Sequence, residues 1–218
     1  MTIDGMRLPP ILDADHADKA VDVLRTYFDQ DGDRFYSGSH FERFAAGGDR
    51  PETADVFTTD DLVAITLLGV TVPGDAALRI LGDTDPGYRE HLSALLRRLP
   101  TDVNLVDADE NVLAVANELW THVRGNLGVG PTKTSKLLAR KRPRLLPVID
   151  SVVTRTVGHV PGRHSFYQNL QAALKADDHC LARHLDELRK TASIGEDIST
   201  IRVFDVLVWM QGSGRVRS

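Results

Sequence analysis

The chain of 218 residues has a single cysteine, Cys180. One thiol excludes a disulfide within the chain, and with it an all-cysteine zinc site or iron–sulfur cluster. In His179-Cys180-Leu181 the thiol is expected on a helix, as a buried structural group. No apolar run approaches the roughly 20 residues of a membrane-spanning helix. Met1 to Arg7 lacks the basic-then-apolar pattern of a secretory signal. These absences predict a cytoplasmic protein with no membrane partner. Histidine spacing adds another. His179 and His184 are five apart, as are His159 and His164, and neither interval stacks two imidazoles on one helical face. No metal site and no cofactor is expected.

Acidic residues are missing from Thr121 to Ile149. The same stretch holds Arg124, Lys133, Lys136, Arg140, Lys141, Arg142 and Arg144, so it carries +7 in a chain of net charge −5, leaving −12 elsewhere. An acidic body with one basic edge argues against a uniformly basic nucleic-acid binder but allows a local one.

What the chain does have is helical periodicity. Ala17, Ala20, Val21, Leu24, Tyr27 and Phe28 recur at three- and four-residue steps, predicting a helix from about Asp15 to Gln30 that ends at Asp31-Gly32-Asp33. The stretch from Arg34 to Thr58 reads mainly as loop, yet its Phe35, Tyr36, His40, Phe41 and Phe44 predict that it packs onto the body or lines a pocket. Thr58-Thr59-Asp60-Asp61 opens a helix with a hydroxyl cap and first-turn acids. Val70-Thr71-Val72 is a candidate short strand. Further helices are expected at about 74–81, through Leu92 to Leu99, and at 109–123, the last with Val112, Val115, Ala116, Leu119, Trp120 and Val123 inward. Others fit 131–140, 150–157, 166–175, 179–190 and 199–210; Gly82 to Gly87 is a turn. With no repeat and no clear strand pair, the reading is an all-α, multi-helix single domain spanning 1–218.

The most informative segment is Leu127-Gly128-Val129-Gly130-Pro131-Thr132-Lys133. Two glycines around one apolar residue suit a tight turn with positive φ, letting Val129 tuck between two helices. Pro131 suits the first helical turn, where its missing N–H costs nothing. The amides unpaired at that helix start form an anion site, with Arg124, Lys133 and Lys136 around it. A hairpin of this kind, a short helix, then Pro147-Val148-Ile149-Asp150 opening a helix that carries Arg155, resembles the helix-hairpin-helix DNA glycosylase superfamily. The resemblance covers roughly 112–158; the remainder resembles an uncharacterised domain family. It implies DNA as partner, backbone contacts through Leu127, Gly128, Val129, Gly130, Thr132, Lys133, Lys136 and Arg124, and Asp150 as the catalytic carboxylate. Tyr36, His40, Phe41 and Trp120 are, on composition, candidates for a pocket around a flipped base.

The segment departs from the family's pattern. Members with lyase activity place a lysine at the second residue after the last hairpin glycine. Here that residue is Thr132, and Lys133 lies one step on, about 100° around the helix. The resemblance therefore implies a monofunctional N-glycosylase, a hydrolase in base-excision repair. Two other readings fit the same residues: a non-catalytic hairpin module in which Asp150 only caps its helix, and a structural or protein-interaction domain in which the hairpin is only a turn.

Overall fold

The computed structural model describes residues 2–3, 6–29, 35–159 and 165–216. Among the described residues the fold is all-α apart from one two-stranded antiparallel ribbon, β1 (Thr2–Ile3) and β2 (Met6–Arg7), paired Thr2 to Arg7 and Ile3 to Met6. That ribbon has no counterpart in the sequence reading. The expected single domain divides into two compact units, one built from residues 1–39 and 149–218, the other from 40–148. The Asp31-Gly32-Asp33 turn and His164 fall outside the described residues.

The first unit gathers α1 (Ala17–Phe28), α7 (Ser151–Thr156), α8 (Phe166–Ala192) and α9 (Thr200–Gly212). α9 is its axis, with α1, α7 and α8 packed on it. Ile201, Val203, Phe204, Val206, Leu207, Val208 and Met210 are all buried, because a helix apolar all round has to be covered all round. Its one internal ion pair, Arg202 with Asp205, is also buried, and Arg202 donates to the Tyr27 hydroxyl and the Gly38 carbonyl, both at 3.0 Å. A buried charge is tolerated only when paired and hydrogen-bonded in this way. α8 is interrupted at Ala176–His179, where Asp177, Asp178 and His179 have φ of 49°, 54° and 63°. The break falls between the two helices expected at 166–175 and 179–190. Cys180, just beyond it, is exposed and not buried as expected.

The second unit holds α2 (Thr59–Ala64), α3 (Gly74–Leu81), α4 (Pro86–Arg97), α5 (Glu110–Arg124) and α6 (Pro131–Lys141). Leu92, Leu95, Leu96, Leu105, Ala116, Leu119, Val123, Leu137 and Leu138 form its centre. The helix starts follow capping chemistry. The Asp61 carboxylate accepts from Thr58 N at 2.8 Å, Asp85 from Tyr88 N at 2.9 Å and Asp109 from Val112 N at 2.8 Å. α4 therefore begins at Pro86, inside the expected turn, because Asp85 caps it and proline fits its first position. Val70-Thr71-Val72 forms no strand. On α5, Leu113 is buried while Val112 and Trp120 are half-buried, a shift of the expected inward face.

Candidate functional site

α5 and α6 are joined by the turn from Gly125 to Gly130, and Val129 at its centre is buried. Only one of the two glycines needs its freedom. Gly128 has φ of +75°, and a Cβ there would sit 2.7 Å from Pro73 Cγ. Gly130 is extended, at φ −79° and ψ −179°, so the expected positive φ at that position is corrected. Asn126 closes the turn from below, donating to Val123 O at 2.8 Å and to the Tyr88 hydroxyl at 2.7 Å. Leu127 at the tip is 91% exposed.

α6 starts at Pro131 with Gly130 as N-cap, so no side chain caps it. Its first-turn amides keep the anion preference of an uncapped helix start. Thr132 and Lys133 are half-exposed there, and Arg124 is exposed at the end of α5. Lys133 Nζ folds back over the turn to the Gly128 carbonyl at 2.8 Å.

Lys136 requires a correction. It is 4% exposed and donates to the Leu68 carbonyl at 2.8 Å, so it is a packing residue and not a phosphate contact. The same holds for three more cations of the basic stretch. Arg140, Lys141 and Arg142 are each at most 2% exposed. Arg140 Nη1 donates to Phe41 O and Glu42 O at 2.6 and 2.9 Å. Lys141 Nζ donates to Gly48 O and Thr53 O, both at 3.0 Å, and pairs with Asp61 Oδ2 at 2.5 Å. Arg142 donates to the carbonyls of Ala54, Leu96 and Leu99 at 2.7, 2.5 and 2.8 Å and to Asp55 at 2.6 Å. Burial holds all three below their ordinary pKa values, while Asp61 beside Arg140 and Lys141, and Asp55 beside Arg142, pull the other way. The arrangement also explains the aromatic-rich loop. Carbonyls from Phe41 to Ala54 are bound to the end of α6, whose negative dipole end favours cations. Gly48 fits only because it lacks a Cβ, which would lie 2.4 Å from Arg140 O.

Asp150 is the N-cap of α7. Its Oδ1 accepts from Val152 N and Val153 N, both at 2.9 Å. The expected pocket residues are not one group. Tyr36 belongs to the first unit, stacked on Tyr27 at 5.2 Å and edge-on to Trp209 at 6.5 Å. His40, Phe41 and Trp120 belong to the second. Phe41 is 1% exposed, so it is core and not the expected pocket wall. A cavity of about 430 Å³ in the first unit, bordered by Leu12, Cys180 and His184, and one of about 470 Å³ in the second, bordered by Glu52, Arg89 and Arg97, are lined by none of the expected residues.

Among the described residues, one group of potential metal ligands converges: His91 of α4 with Glu118 and His122 of α5. Histidine-to-histidine spacing in the sequence does not reveal it, because the helical pair is Glu118 with His122 and the third member comes from another helix.

The chain belongs to a family of unknown function, DUF6308, whose pattern matches residues 20–212. Searches of curated proteins and of solved structures each returned no match.

Proposed function

We propose that this DUF6308 member binds nucleic-acid backbone through the turn from Leu127 to Gly130 and the start of α6. The observation that carries the reading is an uncapped start to an eleven-residue helix beside a protruding turn, with Lys133 and Arg124 next to it. Such a start attracts phosphate through its amides and its dipole. Leu127, exposed at the tip, supplies apolar contact to sugars at a groove edge. Contacts of this kind position a duplex without reading its sequence.

The test is Arg124→Glu with Lys133→Glu, measured by fluorescence anisotropy on duplexes of unrelated sequence. Affinity should fall for all of them alike, with circular dichroism unchanged. Four of the seven cations between Thr121 and Ile149 are buried. The wild-type slope of log affinity against log salt should therefore be shallow, about −2 to −3, and each lost phosphate contact should reduce it by about one. Unchanged affinity in the double variant would leave the turn as a helix connection only.

A second reading, hydrolysis of an N-glycosidic bond, rests on Asp150. A carboxylate held by two backbone amides is fixed in place, as stabilisation of a sugar cation and orientation of water require. Asp150→Asn should then abolish base release while sparing DNA binding. The product should be an abasic site cut only after alkali, since Thr132 has no amine and Lys133 is turned onto Gly128 O. Base release undiminished in Asp150→Asn would remove this carboxylate from the chemistry.

A further inference from the structure

α4 and α5 pack against each other in the second unit. Glu118 and His122 are four residues apart on α5, so their side chains share one face. His91 meets them from α4, its ring centroid 4.3 Å from that of His122 and the planes at 71°. One ligand atom from each residue lies within 4.8 Å of the other two.

We propose that His91, Glu118 and His122 bind a divalent transition-metal ion of the zinc class. Two imidazole nitrogens and one carboxylate oxygen are the donors such ions take, whereas magnesium and calcium prefer oxygen throughout. Bonds of about 2.1 Å in a tetrahedral arrangement put ligand atoms about 3.4 Å apart. Side-chain rotation of less than about an ångström per ligand closes the difference, and all three side chains have the exposure to make it. A fourth position remains for water.

The backbone beneath the group is already held. Tyr88, three residues before His91, donates its hydroxyl to the His122 carbonyl at 2.7 Å. Asn126 Nδ2 donates to the same hydroxyl at 2.7 Å. These bonds fix the register of α4 against α5 at the level where the two imidazoles meet. Arg98 Nη1 lies 3.2 Å from Glu118 Oε2 and orients that carboxylate, the kind of outer partner that metal-ligating groups use.

The experiment is zinc titration of the full chain by calorimetry, with cobalt(II) absorption as an independent reading of nitrogen ligation. The expected result is one ion per chain and visible cobalt bands of low coordination number. Glu118→Gln, which preserves shape, should weaken zinc binding by at least about tenfold, a loss at least as large as outer-partner removal causes. His91→Ala and His122→Ala should do the same, and His122→Ala leaves intact the carbonyl that Tyr88 holds. His184→Ala, in the first unit, should change nothing. Absence of saturable zinc binding in the wild type, unchanged affinity in Glu118→Gln and His91→Ala, or loss in His184→Ala instead, would each overturn the proposal.

Discussion

Lysine and arginine side chains in this protein differ in role according to where the chain takes them. Lys133 and Lys136 are three residues apart on one helix. Lys133 lies over the turn at the surface, while Lys136 runs inward to the Leu68 carbonyl. Three residues place two side chains on neighbouring but unequal parts of a helix face, and here the boundary between solvent and core falls between them. Gly128 is the other residue whose identity is dictated locally. At φ +75° a side chain costs about 1–2 kcal/mol from backbone strain alone, and the Pro73 ring leaves no room for a Cβ. Gly128→Ala should destabilise the protein by at least about that amount in chemical denaturation; a neutral result would show that the turn rearranges freely. Asp150 illustrates how a cap and a candidate catalytic group can be one carboxylate, since both roles need an oxygen fixed by amides.

At the scale of elements, α6 is the organising feature of the second unit. Its first turn faces solvent without a side-chain cap, and its last residues carry Arg140, Lys141 and then Arg142 into a set of carbonyls and carboxylates. The aromatic-rich loop is held by this end of the helix. Asp61 closes the arrangement, capping the start of α2 and pairing with both Arg140 and Lys141. Removing one partner of a buried ion pair leaves the other charge uncompensated, at a cost of about 3–5 kcal/mol. Asp61→Ala should therefore lose about that much stability, measured by urea denaturation, whereas the Arg124→Glu and Lys133→Glu pair should stay within about 0.5 kcal/mol of wild type. A mild effect of Asp61→Ala would mean that the carbonyls alone satisfy the two cations.

Across the whole molecule, the chain forms the first unit from its two terminal portions and the second from the segment between them. Stability of the whole should carry one acid-sensitive contribution from His159. Burial pushes its pKa below the ordinary value of 6.5, and Asn169 Nδ2 lies 3.3 Å from its Nδ1. The folded protein thus favours the neutral ring, which can accept from the amide. Above pH 6.5 the ring is neutral in both states. As pH falls through the lowered folded value, the unfolded chain binds the proton more readily, and stability is lost. The thermal midpoint should drop between pH 7.5 and pH 5, and His159→Gln should reduce that drop. An identical drop in the variant would assign the acid sensitivity to other groups.

The positions and inward faces of most helices follow from the sequence alone, because apolar period, capping residues and glycine turns are local signals. Thr58, Asp109 and Asp150 announce helix starts, Pro131 opens α6, and Ile201, Phe204, Leu207 and Val208 are buried on α9 as expected, although Val203, Val206 and Met210 are buried with them. The run of basic residues could not be interpreted that way. Charge in sequence reads as surface, because isolated ions are costly to bury, yet Asp61, Asp55 and the carbonyls of the 41–54 loop arrive from distant parts of the chain to compensate it. Packing between distant segments likewise puts Phe41 in the core, assigns Tyr36 to one unit and His40, Phe41 and Trp120 to the other, and brings His91 to Glu118 and His122. Helix formation is set by neighbours a few residues away; burial, ion pairing and ligand convergence are set by which helices pack together, and only the tertiary structure decides that.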